Sequence, residues 1–184
     1  MDYILKRSRR KTLAVEIDSA ANVIVRAPLK ASLRDIEKFL AGHSLWIEKH
    51  RIKALRRLET VRATGSFSAA EIESILRDAK AELPRRTAEL AHLMGITYGR
   101  VSVRKQKTRW GSCSSKGNIS LNFLLVRAPK DVMDYVIIHE LCHRRHMNHS
   151  SSFWRLVETF DPNYRTHRKW LREEGQILMN RIIF

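Results

Sequence analysis

Two histidines and a glutamate in one short segment have the spacing of a metal site that activates water. The pattern His-Glu-x-x-His occurs in the segment Val136-Ile137-Ile138-His139-Glu140-Leu141-Cys142-His143. On a helix, His139 and His143 are four residues apart and face the same side. Two such imidazoles can bind one tetrahedral zinc ion, and the Glu140 carboxylate can reach a water on the metal without becoming a ligand. The pattern therefore predicts a hydrolytic zinc centre in which Glu140 is the general base.

A catalytic zinc ion needs a third protein ligand, for which the sequence offers several candidates. His149 can bind only if the chain turns back after His143, and we expect Asn148 to make that turn in the left-handed conformation that asparagine tolerates. His146 would lie about 10.5 Å from His139 along a continuous helix, so we interpret it as a rim residue. We favour His149 over three glutamates of the later helices, which stay open as alternatives: Glu158, Glu173 and Glu174.

The cysteines and the apolar segments indicate where the chain resides. The chain has only two cysteines, Cys113 and Cys142, and its first residues become charged too early for a secretory signal. We therefore expect free thiols and a cytoplasmic location, with Cys142 as an apolar filler rather than a metal ligand. No run approaches the ~20 apolar residues that cross a bilayer, which predicts no membrane association.

The charge balance indicates a second class of partner. The chain carries 35 Lys and Arg against 19 Asp and Glu, a formal net charge of +16. Such a charge attracts polyanions, so a nucleic-acid-associated protein is the alternative to an enzyme that acts on a protein or peptide. Solubility is the ordinary explanation of the same charge. The sequence does not indicate an oligomeric state.

The first third of the chain predicts a strand-rich unit followed by a helix. Alternating apolar residues predict three strands, at Tyr3–Arg7, Thr12–Ile17 and Val23–Arg26. Ser32 and Asp35 have the spacing of a helix cap, and the helical pattern runs to about Leu58 with a break near Gly42. The small polar residues 62–66 predict a boundary between residues 1–64 and 65–184.

The second part of the chain predicts helices around a short sheet. Ser68 and Glu71 form a capping box for a helix that Gly95 ends and that Pro84 kinks or splits. Strands are predicted around Val101 and Val103 and again at Ile119, Leu121 and Phe123. Pro129 can start the helix that carries the metal motif. Trp110, in the turn-rich segment between these strands, is favoured as a core aromatic over a residue that lines the cleft.

Several motifs together resemble the YgjP-like metallopeptidase family, and more distantly the SprT-like and WLM proteases. The resemblance covers nearly the whole chain. It rests on the combination of these segments: Arg109-Trp110-Gly111-Ser112-Cys113, Asn118-Ile119-Ser120-Leu121-Asn122, His139 to His149, and Phe153-Trp154. It implies an α+β, zincin-like fold with an N-terminal β-strand-rich appendage. It also implies a zinc peptidase site with His139, His143 and His149 as ligands and Glu140 as the base.

Further roles follow less directly from the sequence. Peptidases of this kind hold an extended substrate against a sheet edge, and we predict Asn118–Leu124 as that strand. Tyr164, His167 and Arg168 could donate a hydrogen bond to the developing oxyanion, although packing or surface roles are favoured for each. A zinc-stabilised domain without turnover is a third hypothesis. Glu140 argues against it because a structural metal site needs no base.

Overall fold

A computed structural model of the chain describes residues 2–18 and 20–182. The chain divides into two compact units, Met1–Gly65 and Ser66–Phe184. This division lies one residue from the predicted boundary, while the assignment of 1–64 and 65–184 as separate domains stays a prediction. No helix in the described ranges is long and apolar enough to cross a membrane.

A three-stranded sheet forms the start of the first unit. Its strands are β1 (Ile4–Ser8), β2 (Ala14–Ile17) and β3 (Val23–Pro28), each within two residues of the predicted bounds. The order is β1-β3-β2, with β3 parallel to β1 and antiparallel to β2. The central strand contributes Val23, Val25 and Ala27 to a small core, in agreement with the two-residue period of a pleated strand.

Two helices complete this unit. Helix α1 (Leu33–Gly42) starts at Ser32, whose hydroxyl accepts a hydrogen bond from the backbone N–H of Asp35. Helix α2 (Ser44–Thr64) follows at the predicted break but runs six residues beyond the predicted end. The predicted helix end near Leu58 is wrong, because arginine and alanine at positions 62 and 63 continue a helix well. The helix ends instead at Gly65, whose φ of 71° is accessible to glycine.

The second unit begins with the longest helix of the described chain. Helix α3 (Ala69–Met94) opens with the predicted Ser68–Glu71 capping box and ends at Gly95 in the left-handed conformation. It runs continuously through Pro84, so of the two predicted effects of this proline the split is wrong, while the kink stays a prediction. Leu83 and Thr87, on either side of the proline, are both fully buried. Burial of both halves against one core outweighs the cost of about 3 kcal/mol for an internal proline.

A second three-stranded sheet lies next to α3. It consists of β4 (Val101–Arg104), β5 (Gly111–Cys113) and β6 (Ile119–Asn122), in the order β4-β6-β5. Strand β6 is parallel to β4 and antiparallel to β5, so both of its edges are paired. The prediction of Asn118–Leu124 as the substrate-binding edge is therefore wrong, and the residues after Asn122 form a 3-10 helix, Phe123–Arg127.

Four helices enclose the rest of the core. They are α4 (Lys130–Cys142), α5 (Ser151–Phe160), α6 (Tyr164–Arg172) and α7 (Glu174–Asn180). Helix α4 is buried on most of its circumference and contacts α3, α5, α6 and strand β5. Arg86 on α3 fixes it laterally through two hydrogen bonds of 2.7 Å to the Asp134 carboxylate. The fold is of the predicted α+β class, with the metal motif on its central helix.

Candidate metal centre

The three histidines predicted as ligands meet at the end of α4. His139 lies in the last turn of this helix, His143 directly follows it, and His149 precedes α5. One ring nitrogen from each residue belongs to a group whose members all lie within 4.8 Å of one another. The Nε2 atoms of His139 and His149 are 3.1 Å apart. These three imidazoles can therefore face a single ion.

The chain reverses between His143 and His149 through tight turns. The backbone N–H of Arg144 donates to Leu141, and those of Arg145 and His146 both donate to Cys142, over 2.9–3.0 Å. No residue from 143 to 149 has a positive φ. The reversal takes place as predicted, but the prediction that Asn148 makes it in a left-handed conformation is wrong.

The side chain of His146 stays outside the cluster, while its backbone orients one of the predicted ligands, His143. The Nδ1 atom of His143 lies 3.0 Å from the carbonyl oxygen of His146. Because a carbonyl only accepts, Nδ1 carries the proton and the lone pair of Nε2 is available to a metal. Sequence reasoning missed this role, since a backbone carbonyl leaves no signature in the residue type.

One phenylalanine supports all three imidazoles. The ring centroid of Phe153 lies 4.9 Å from His139, 4.6 Å from His143 and 4.9 Å from His149. Phe153 is fully buried. Trp154 also stacks on the imidazole of His149, with the two ring centroids 5.7 Å apart and an interplanar angle of 27°. The Phe-Trp pair of α5 therefore restricts the orientations that the rings of the predicted ligands can adopt.

Two of the three histidines, His139 and His143, are held towards their neutral form. Burial, followed by the neighbouring His143 and His149 and by Arg168, lowers the pKa of His139 to about 3. Burial also lowers the pKa of His143. A neutral imidazole is the form that binds a metal ion, so no proton has to leave these two residues first.

Glu140 lies in the same cavity as the histidines. Only 5% of the residue is exposed, its Oε2 has no hydrogen-bond partner within the described protein, and burial raises its pKa to about 8. A methyl group on Gly111 would lie 2.6 Å from Oε1 and 2.7 Å from Cγ of Glu140. Glycine at position 111 thus provides the space that this side chain occupies.

The cavity is open to solvent and has a volume of about 280 Å³. It is bounded by one edge of the sheet, by the end of α4 and by the turn that follows. Its lining residues are Arg109, Gly111, Ser112, Cys113, His139, Glu140, His143, Met147 and His149. A small extended group could enter beside the histidines and Glu140.

The alternative ligands lie elsewhere. Glu158 pairs with Arg165 at 3.5 Å, and Glu173 lies 3.9 Å from Arg172. Among the described residues, the one group of histidine, cysteine or carboxylate side chains close enough to share an ion is that of the three histidines. Glu174 and the buried Cys142 are also outside that group.

The three candidate oxyanion donors, Tyr164, His167 and Arg168, have the packing contacts that the sequence favoured for them. His167 is buried and contacts two carboxylates, with Nδ1 2.8 Å from Asp161 and Nε2 3.1 Å from Asp131. Tyr164 stacks on Trp154. None of the three candidates lines the cavity. Trp110 likewise packs against the main core, which confirms the interpretation that it is a core aromatic.

Comparison with known proteins identifies the family. The model of the YgjP-like metallopeptidase domain matches residues 61–174, which is more than half of the chain. The chain belongs to the YgjP-like metallopeptidase family. This membership confirms the resemblance seen in the motifs and makes the protein a hydrolase of the metallopeptidase class. A search of the curated proteins found no match.

Two solved structures are similar to part of the chain. The metallopeptidase zymogen abylysin of Pyrococcus abyssi is 26% identical, with a TM-score of 0.45, over 50% of this chain and 95% of that one. The zymogen jannalysin of Methanocaldococcus jannaschii is 17% identical, with a TM-score of 0.46, over 51% of this chain and 97% of that one.

Proposed function

We propose that this YgjP-like protein is a zinc-dependent peptidase in which His139, His143 and His149 bind the ion and Glu140 is the general base. The observation that carries the proposal is the group of three ring nitrogens within 4.8 Å of one another in one open cavity with Glu140. Three neutral nitrogen ligands suit zinc and leave a fourth, tetrahedral position open. These residues therefore fit a catalytic zinc site.

The residues of the cavity divide the work of peptide hydrolysis. A zinc ion bound there would polarise the scissile carbonyl, lower the pKa of a coordinated water and favour the ionised form of the nearby carboxyl group. Glu140 accepts the proton of the attacking water at Oε2, which has no partner within the described protein. The same carboxyl group then donates this proton to the departing amine. Phe153 and the His146 carbonyl hold the ligand rings in place.

Strand β5 is the proposed docking edge for the substrate. Among the described strands it pairs only with β6, and its three residues, Gly111–Cys113, all line the cavity. An extended peptide can add to such an edge through main-chain hydrogen bonds. The proposed docking strand is thus β5, and not the segment Asn118–Leu124, which forms the middle strand β6 of the sheet.

Glu140→Gln tests the mechanism. The amide keeps the shape of the side chain but cannot accept the proton, so we expect zinc binding of one ion per chain with cleavage of a quenched fluorescent peptide lower by about 10² or more. Glu158→Gln, which removes a half-exposed carboxylate of α5 outside the cavity, is the matched control and should behave as wild type. Cleavage by Glu140→Gln at the native rate would show that the mechanism is wrong.

The same experiment also tests the alternative hypothesis, in which zinc only stabilises the domain and no peptide is cleaved. In that case the wild type and Glu140→Gln would both bind zinc and neither would cleave any peptide. The buried and unpartnered carboxyl group of Glu140 argues against it, because an unsatisfied buried polar group destabilises a purely structural site. We also propose that the protein works in the reducing cytoplasm. Its two free cysteines support this location.

A second candidate function is nucleic-acid binding by helix α2. Lys49, Lys53 and Arg56 are exposed and lie on one face, four and three residues apart. The acids of this helix, Glu48 and Glu59, lie roughly a quarter of a turn away from this basic stripe. The stripe extends about 10 Å along the helix axis, so it could contact successive phosphates.

Matched pairs of substitutions test this second candidate. Lys53→Gln with Arg56→Gln removes two charges from the stripe, and Arg51→Gln with Arg62→Gln removes two from the opposite side. We expect the first pair to weaken binding to a DNA oligonucleotide and to reduce the salt-dependence slope by about two. Equal losses in the two pairs would indicate non-specific attraction, and no binding at low salt would exclude the function.

A further inference from the structure

One strongly basic residue lies among those that line the cavity of the metal centre. Among the nine lining residues, Arg109 is the only arginine or lysine and Glu140 is the only carboxylate. The two groups differ in their surroundings, because Glu140 is buried whereas Arg109 is exposed. The accessible part of the wall next to the sheet edge therefore has a positive charge without a matching negative one.

The guanidinium group of Arg109 has no partner in the described parts of the chain. It makes no hydrogen bond and no ion pair there, unlike other arginines of the same unit. Arg86 binds the Asp134 carboxylate, and Arg144 donates to the carbonyl oxygen of Thr97 at 3.0 Å. The five N–H donors of Arg109 are thus available to a group that enters the cavity.

The backbone of Arg109 is nevertheless fixed. The fully buried Asn122 donates from Nδ2 to the carbonyl oxygens of Arg109, at 2.8 Å, and of Gln106, at 2.9 Å. The backbone N–H of Asn122 donates to the next carbonyl, that of Trp110, at 2.8 Å. Arg109 is therefore an exposed side chain on a rigid base, two residues before the glycine that contacts Glu140.

The loop that ends at Arg109 is basic throughout. Residues 104–109 read Arg-Lys-Gln-Lys-Thr-Arg, with four cations and no acid. All four cationic residues are exposed. Four exposed cations without an acid favour anionic groups on a peptide that approaches this end of β5.

We propose that Arg109 selects substrates that carry an Asp or Glu side chain close to the scissile bond. The inference rests on the proposed peptidase function and names its substrate class. A carboxylate of the docked peptide accepts two parallel hydrogen bonds from the guanidinium fork, a geometry that lysine cannot provide. Arg109 is a specificity-determining residue and takes no part in moving protons.

Peptide binding to the zinc-loaded Glu140→Gln protein tests the inference without turnover. The probes are fluorescein-labelled peptides of a common Ala-Ser-Leu sequence with one Glu at each central position in turn, and the same peptides with Gln. Fluorescence anisotropy should show a preference for Glu of about tenfold or more at one of these positions. Adding Arg109→Gln should abolish the preference, and Arg109→Glu should shift it towards the corresponding Lys peptide.

Arg77→Gln is the matched control, because it removes one exposed positive charge from α3 outside the cavity. It should leave the preference unchanged. A missing preference at every position, a preference that survives Arg109→Gln, or failure of every acidic peptide to bind would overturn the inference. Binding that depends on Arg109, in a wild-type protein that cleaves none of the peptides, would instead refute the peptidase function alone.

Discussion

Replacing Gly111 with alanine should disable the proposed base while leaving the metal site intact. The added methyl carbon would lie 2.7 Å from Cγ and 2.9 Å from Cδ of Glu140. Carbon atoms pack at about 3.5–4.0 Å, so the Glu140 side chain has to move by about 0.8 Å. Since Glu140 is 5% exposed, it has little room in which to relax. A misplacement of this size costs about 10²-fold in kcat.

Three measurements on Gly111→Ala separate the base from the metal and from the fold. Peptide cleavage should fall by about two orders of magnitude, zinc content should stay at one ion per chain, and stability should fall by about 1–3 kcal/mol. Gly42→Ala is the matched control, because a methyl group there meets nothing within 4 Å. Native cleavage by Gly111→Ala would refute the argument that the position of Glu140 depends on this glycine.

Three further predictions concern the support of the site. Phe153→Ala should reduce the free energy of unfolding by about 3–5 kcal/mol in a denaturant titration and weaken zinc binding in a metal titration. Native zinc affinity in this variant would contradict the inference that Phe153 supports the three imidazoles. Asn122→Ala should destabilise the fold by about 1–3 kcal/mol and speed amide exchange at residues 106–110, and unchanged exchange there would refute the anchoring. Zinc at a thousandfold excess over its Kd should stabilise the wild type by about 4 kcal/mol, whereas His149→Ala should show much less of this effect in thermal unfolding.

Helical periodicity accounts for the part of the site that could be predicted. The four-residue spacing of His139 and His143 places both rings on one side of any helix, whatever the rest of the fold. The return of His149 required only that the helix end near His143, and α4 ends at Cys142. Its route could not be predicted, because ordinary backbone hydrogen bonds to Leu141 and Cys142 form the turns. Neither a glycine nor a left-handed asparagine marks them.

The sheet edge could not be predicted because strand order is a tertiary property. The apolar alternation at Ile119 and Leu121 indicated a strand but not which neighbours would pair with it. Strand β5 has only three residues, all small, and is too short for a two-residue period to be visible. Because β5 pairs with β6, the proposed docking edge is β5, which has almost no apolar pattern, and not β6, whose pattern is clear.

Local propensity also gave way to burial in α3. Pro84 is a strong signal for a break, yet fully buried residues on both sides hold the helix against the core. The role of Gly111 could not be predicted for a different reason. The glycine is plain in the sequence, but its role depends on a contact with Glu140, which is distant in the chain. The space it leaves for Glu140 becomes apparent only when β5 is placed against α4.

X-ray absorption of the zinc-loaded protein tests the central claim most directly. Three histidines and a water predict three imidazole nitrogens and one further oxygen at about 2.0–2.1 Å, with no sulfur in the first shell. A zinc–sulfur distance of about 2.3 Å would implicate a cysteine such as Cys113, which lines the same cavity. Either that distance or fewer than three imidazoles around the ion would contradict the assignment of His139, His143 and His149.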